Sequence, residues 1–391
     1  MGANRNQTEM ERDVVFQITH IQAISALQKN NALANEPAAG PNTSENKNLQ
    51  ICWDTRILPS DNAVLFVARK GGKFDGHTLA KDFLERGYTF VGEPGAVMKH
   101  LRNSGESETT VQQIVQNKNF VPVHETETAL RILLDAALEF QRESFTSVAV
   151  TGTSGKTSTT QITAYLWEKL AQKDALRLGT LGIQIGSSQW EGSHPTMPDY
   201  PGFLSALTAS HRQNVHHAVF EATSHGLVGG RLGNWQADVA VFCNLSQDHL
   251  DFHKTMAAYR ACKGILFEKH LKPSGTAIVN TDDKEWPYFL SRLRERTHKI
   301  IGFGIESRRD EFFAIAKQKT QHALFLKITD PISNNSGIQG LWELHSQTEA
   351  VERATFQSHL LGTFQQHNLA AAAAALVGLG FRLEKIAALS K

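Results

Sequence analysis

Residues 147 to 161 read SVAVTGTSGKTSTTQ, a β-branched apolar run that breaks at a glycine turn and opens a segment with Ile162, Leu166 and Leu170 at every fourth position. The first pattern is that of a buried strand and the second that of a helix, so the segment predicts strand, loop and helix in that order. The loop is GTSGKT. Gly152 and Gly155 let backbone N–H groups approach an anion, the helix start adds its positive dipole end, and Lys156 adds a point charge. The Thr157 hydroxyl is of the kind that ligates Mg²⁺ beside a bound phosphate. The longer GxxxxGK[ST] spacing is not met, because Val150 stands at its first glycine position. A glycine turn with a surface lysine is the plain alternative.

Apolar strand-like runs recur at 148–151, 216–220, 238–243, 276–280 and 299–303, separated by helical stretches. That alternation predicts an α/β domain with a doubly wound, mostly parallel sheet, in which ligands bind beyond the carboxyl ends of the strands. Residues 312–360, with a turn-rich ISNNSG, predict a smaller antiparallel subsheet. Before residue 144 the pattern is that of a small N-terminal α/β domain. ICWD at 51–54 and AVLFVAR at 63–69 read as strands, 78–87 as a helix ended by Gly87, and 126–141 as a strongly apolar helix. Residues 1–48 are expected to be a flexible extension, loosely amphipathic at 13–29 and loop-like over NNALANEPAAGPNTSENKN. The expected division is thus 1–48, a first domain over 49–143 and a central domain over 144–391.

At 391 residues the chain is long enough for at least two domains. Lys plus Arg number 40 against 39 for Asp plus Glu, so no broad electrostatic attraction to nucleic acid or anionic membrane is expected. Any anion must be held by a local site. Three cysteines without CxxC spacing argue against a disulfide framework or structural zinc, and no apolar run of membrane-spanning length occurs, so a cytoplasmic protein is expected.

Polar motifs directly follow the strand-like runs. HAVFEATSHGL at 217–227 ends its strand on Glu221, a carboxylate suited to Mg²⁺. ADVAVFCNLSQDHLDFH at 237–253 ends in Asp248, His249, Asp251 and His253, and Lys263 follows within AYRACKGILF. Any one of these groups alone reads as ordinary surface polarity or a helix cap. Together, TGTSGKTS, EATSHGL, NLSQDHLDFH, AYRACKGILF and NTDD, in this order and at these intervals, resemble the Mur ligases, in the branch that extends UDP-N-acetylmuramoyl-L-alanyl-D-glutamate.

The resemblance implies an ATP site on Gly152, Thr153, Ser154, Gly155, Lys156, Thr157 and Ser158, with Asn368 of GTFQQHN near the adenine. It implies Mg²⁺ held by Thr157, Glu221, His249 and a CO₂-derived carbamate on Lys263, and catalytic roles for Lys156, Glu221, His249 and Lys263. On the substrate side it implies Thr55 of WDTR as a uridine contact, GGKFDGH at 71–77 as a second nucleotide-sugar segment, and Thr196, Met197, Thr223 and Arg231 facing the muramoyl-dipeptide. A guanidinium such as that of Arg231 binds a carboxylate bidentately. The implied reaction is ATP-dependent C–N ligation through an acyl phosphate, in peptidoglycan precursor synthesis. Members of the family continue into a further C-terminal domain, and its absence here is expected; a fragment of a longer ligase, a natural two-domain protein and one half of a split enzyme with a C-terminal domain in trans stand as the alternatives. Two rivals stand beside this reading: a catalytically incomplete nucleotide- or precursor-binding protein, and a folylpolyglutamate-synthase-like ligase.

Overall fold

The structure, a computed structural model, describes residues 5–6, 10, 13–35, 47–59, 63–72, 74–191, 196–294, 299–305 and 308–390. Two units separate by their internal packing, Thr8–Phe140 and Met1–Gln7 with Gln141–Lys391.

Strand β1 (Arg5–Asn6) belongs to the larger unit, at the edge of its sheet. The smaller unit holds β2 (Gln17–Thr19), β3 (Asn48–Cys52), β4 (Val64–Val67), β5 (Thr89–Gly92) and β6 (Phe120–Pro122), hydrogen-bonded in that order. Only the β2–β3 pair is antiparallel. All four residues of β4 and all four of β5 are buried, as expected for parallel strands covered on both faces. Phe66 packs against Phe83 and Phe90 at centroid separations of 4.7 and 5.9 Å.

The flexible extension expected over residues 1–48 is corrected for part of its length. Residues 17–29 form β2 and the helix His20–Lys29, which packs on the helix Thr126–Ala136 and buries Ala23, Ile24 and Leu27. Its start is fixed by a capping box: Thr19 Oγ1 accepts from Gln22 N at 3.2 Å, and Gln22 Oε1 accepts from Thr19 N at 3.0 Å. Residues 36–46 of the expected loop lie outside the described residues. The helix expected over 126–141 ends at Ala136.

The larger unit holds β7 (Thr146–Thr151), β8 (Ala175–Gly179), β9 (Gly182–Ile185), β10 (Ser188–Glu191), β11 (His217–Glu221), β12 (Ala237–Phe242), β13 (Leu271–Asn280), β14 (Lys299–Gly304), β15 (Ala323–Asn334), β16 (Gly337–His345) and β17 (Ala350–Ser358). Their order is β1-β10-β9-β8-β11-β7-β12-β13-β14-β15-β16-β17. From β8 to β15 every neighbouring pair is parallel, and β15, β16 and β17 continue as antiparallel neighbours. The five strand-like runs of the sequence are β7, β11, β12, β13 and β14. Strands β8 to β10 lie outside those runs, because ALRLG, GIQI and SQWE interleave polar residues with apolar ones.

The strand order places β11 on one side of β7 and β12 on the other, so the loops at their carboxyl ends diverge and leave a crevice. Behind it, the helix Lys156–Ala171 packs against the helix Phe364–Gly378. The latter carries AAAAAA at 370–375, all buried, and its small side chains allow close packing on the sheet.

Candidate functional site

β7 delivers the glycine turn, and Gly155 caps the following helix at φ +83°, a conformation that disfavours any residue with a Cβ. A side chain at Gly155 would also run into Asn368 Oδ1. The loop is clamped from the β12 side by Asn244: Thr153 N donates to its carbonyl at 2.9 Å, Ser154 N to its Oδ1 at 2.9 Å, and Asn244 Nδ2 donates to Ser154 O at 3.0 Å. Ser246 N donates to Thr153 Oγ1 at 3.0 Å. The turn's shape is therefore set by a neighbouring strand as well as by its own glycines.

Two lysines converge on one carbonyl. Lys156 Nζ donates to Gly152 O at 2.9 Å and to Thr153 O at 2.8 Å, and Lys263 Nζ donates to Gly152 O at 2.7 Å. Lys263 sits on the helix Met256–Lys269, is 1% exposed, and lies over the Tyr259 ring at 4.4 Å. Burial, and next the charge of Lys156, bring its ammonium down to about 7. Burial also lowers the pKa of Lys156, against the pull of Glu221. Around neutral pH Lys263 thus divides between ammonium and free amine.

Glu221 ends β11 with 2% exposure. Thr180, just past β8, donates to it twice, from its N to Oε1 at 2.8 Å and from its hydroxyl to Oε2 at 3.3 Å. Thr157 Oγ1 donates to Thr180 Oγ1 at 3.2 Å, and Thr180 Oγ1 lies 3.4 Å from Thr196 Oγ1. Three hydroxyls and a carboxylate gathered this closely form a set of hard oxygen donors, the chemistry that Mg²⁺ selects.

Thr223 caps the helix Ser224–Val228, accepting from Gly226 N at 3.1 Å. His249 opens the short helix Leu250–His253 at φ +50°, with its ring 5.2 Å from that of His225. His253 bridges Ser224 Oγ at 2.9 Å and Cys262 Sγ at 3.4 Å. These motifs meet at a cavity of about 510 Å³, lined by Thr153, Ser154, Gly155, Lys156, Thr157, Ser158, Thr180, Thr196, Glu221, Thr223, Ser224, His225, His249, Tyr259 and Lys263.

Five expected site residues, Gly152, Asn368, Met197, Arg231 and Thr55, do not line this cavity. Gly152 reaches the lysines through its carbonyl. Asn368 is buried behind the loop, donating to Gln365 Oε1 at 2.8 Å. Met197 is 2% exposed with its sulfur against Gly226, and its carbonyl is occupied by Arg231 Nη1. Thr55 belongs to the smaller unit, in a cavity of about 310 Å³ with Trp53, Asp54, Arg69, Lys70 and Phe74. In the neighbouring segment, outside that lining, Asp75 accepts from His77 Nδ1 at 2.6 Å and His100 Nε2 at 3.0 Å; burial opposes its ionisation, but these bonds hold its pKa at about 2. Sequence reasoning missed Thr180, Asn244 and Tyr259. Asn244 sits inside the quoted NLSQDH and Tyr259 inside AYRACKGILF, whereas Thr180 follows a strand that the apolar runs did not mark.

A glycine turn opening a helix at Lys156, a buried carboxylate and a buried lysine at the switch point of a parallel sheet place the chain among the α/β proteins that bind ligands beyond the carboxyl ends of their strands. The chain matches the Mur ligase middle domain over residues 150–376, and it belongs to the Mur ligase family. It is 33% identical over 260 residues to the UDP-N-acetylmuramoyl-L-alanyl-D-glutamate--2,6-diaminopimelate ligase of Bacillus velezensis, an alignment covering 65% of this chain and 48% of that protein. It is 33% identical over 244 residues to the corresponding L-lysine ligase of Staphylococcus epidermidis, covering 62% and 45%. Hence the chain spans about half the length of these relatives. A solved UDP-N-acetylmuramoyl-L-alanyl-D-glutamate--2,6-diaminopimelate ligase superposes with a TM-score of 0.63 at 25% identity, over 87% of this chain and 61% of that one. MurF from Acinetobacter baumannii shares the fold, with a TM-score of 0.57 at 18% identity, over 96% and 68%. No described helix is long and apolar enough to cross a membrane.

Proposed function

We propose that the protein acts in the cytoplasm as an ATP-dependent ligase that joins an amino acid to UDP-N-acetylmuramoyl-L-alanyl-D-glutamate in peptidoglycan precursor synthesis. The observation that carries this reading is the single cavity in which Lys156, Glu221, His249 and Lys263 face Thr196 and Thr223. In this reading the region 49–143 takes the UDP-sugar through Thr55 and its neighbours, and 144–391 takes ATP. Thr196, Met197, Thr223 and Arg231 form the dipeptide side, with the Met197 carbonyl holding the Arg231 guanidinium.

The chemistry follows from the charges. An oxygen of the D-glutamate carboxylate attacks the γ-phosphorus of ATP, ADP departs, and the acyl phosphate forms. The amine nitrogen of the incoming amino acid then attacks the acyl carbon, and the tetrahedral intermediate collapses with loss of phosphate and a proton. The phosphate-loop N–H groups and Lys156 neutralise charge on the transferring phosphoryl group.

The oxygens of Thr157 and Glu221 fit Mg²⁺, which when bound neutralises phosphate charge; His249 joins them by resemblance to the family. Lys263 fits the carbamate assignment, because a buried amine with a pKa of about 7 is free to attack CO₂, releasing one proton and becoming an oxygen anion. The test is mass spectrometry of products from UDP-muramoyl-dipeptide, ATP and a panel of amino acids, with and without a separately supplied C-terminal ligase domain. A product one amino-acid residue heavier is expected. No such product under either condition, with ATP and precursor still bound, would favour the non-catalytic binding protein.

A further inference from the structure

We infer that Gly179 and Thr180 form the cradle that aims the Glu221 carboxylate, making Thr180 a positioning residue for the metal-bound nucleotide; this rests on the nucleotide reading above. A carboxylate that is 2% exposed needs donors to replace water, since a buried charge without them is costly. Both hydrogen bonds that Glu221 accepts among the described residues come from Thr180, one from its backbone and one from its hydroxyl. The residue before it supplies the space: a Cβ on Gly179 would overlap Glu221 Oε1, Cδ and Cγ. A side chain there would force the carboxylate out of its present rotamer.

The hydroxyl of Thr180 also fixes Glu221 relative to the rest of the cavity. It accepts from Thr157 Oγ1 at 3.2 Å, on the first turn of the phosphate-loop helix. A threonine hydroxyl has a single proton, and the acceptors within reach are the charged Glu221 Oε2 at 3.3 Å and the neutral Thr196 Oγ1 at 3.4 Å. The charge-assisted bond is the stronger, so the proton points to Glu221 and leaves the Thr180 oxygen as acceptor for Thr157. One side chain thereby holds the carboxylate of β11 and the hydroxyl of the phosphate loop in a common geometry.

Calorimetry of ATP binding, with and without Mg²⁺, tests this in wild type, Thr180→Val and Thr180→Ser. Thr180 is exposed at the cavity edge, so the near-isosteric valine keeps the backbone bond and is compatible with folding. Thr180→Val is expected to lower Mg-ATP affinity about tenfold while metal-free ATP binding stays within about twofold, and Thr180→Ser to restore most of the loss. Mn²⁺ binding to the ATP complex, followed by electron paramagnetic resonance, should weaken in parallel in Thr180→Val alone. Wild-type Mg²⁺ dependence in Thr180→Val would overturn the positioning role and leave the nucleotide site standing. Wild-type protein that binds ATP under neither condition would overturn the nucleotide reading and this inference with it. Equal losses with and without Mg²⁺ would make Thr180 a structural part of the loop and also overturn it.

Discussion

Two amines share the Gly152 carbonyl, and the consequences of that contact differ for each lysine. Lys156 stands at the helix start and lines the cavity, so in the proposed reading its charge is the one that meets the phosphates. Lys156→Ala is expected to lower ATP affinity roughly 10- to 100-fold, the size of a lost charge-assisted bond, read by calorimetry with Mg²⁺; equal affinities would remove the phosphate-loop assignment. Lys263 behaves as a buried base. The unfolded chain keeps its proton up to about the ordinary 10.5, whereas the fold keeps it only to about 7. The folded state therefore carries the full penalty below pH 7, and stability attributable to this residue rises as pH climbs from 7 to 10.5. In CO₂-free buffer, Lys263→Met should stabilise the protein by roughly a few kcal/mol at pH 7, by urea unfolding, with the gap closing towards pH 10. A gap independent of pH would contradict the burial argument. The segments around Lys156 and Glu221 were legible as candidate chemistry because each directly follows an apolar run, whereas His249 and Lys263 stood out only through the resemblance carried by the motifs together. Thr180 was not legible, since nothing in GTLG marks it until Glu221 is folded against it.

Single elements show where local pattern decides and where it does not. The phosphate-loop helix is written in its own residues, from Gly155 through the four-residue spacing of Ile162, Leu166 and Leu170. The helix His20–Lys29 was obscured by its polar, Asn-rich flank, although Thr19 and Gln22 spell a capping box three residues apart. Its burial against the helix Thr126–Ala136 is a long-range contact that no local window contains. Thr19→Ala is expected to cost about 1 kcal/mol of stability, seen as a lower urea midpoint. An unchanged midpoint would mean that packing alone sets this helix. Strands β8 to β10 were hidden for a similar reason: a half-polar strand at one side of a sheet looks like a loop until its partners are known.

For the whole molecule, the relatives are about twice as long as the matched region, and the acyl-phosphate step needs an amine held within about 3 to 3.5 Å of the carbonyl carbon with water excluded. A polypeptide of these 391 residues, assayed alone, is expected to bind nucleotide and precursor but to ligate at or near background, and to gain rate when a C-terminal ligase domain is added. Turnover of about 1 s⁻¹ by the chain alone would show that the amine needs no further groups. Mg-ATP should raise the thermal midpoint of the larger unit, and UDP-muramoyl-dipeptide that of the smaller. Should both ligands protect only the larger unit, the assignment of the Thr55 cavity to the UDP-sugar would fall.

The sequence by itself determined the fold class and the strand, glycine turn and helix around Lys156, because periodicity, glycine placement and residue type act over a few positions. Tertiary structure alone decided which motifs share a cavity. Glu221 and Thr180 are distant in sequence, and only the insertion of β11 between β8 and β7 brings the carboxylate onto its two donors. The same folding turned Met197 inward, placed Asn368 behind the loop, and buried Lys263 deeply enough to lower its pKa. Desolvation and hydrogen-bond geometry depend on every neighbour in space, and a linear pattern records only the neighbours in sequence.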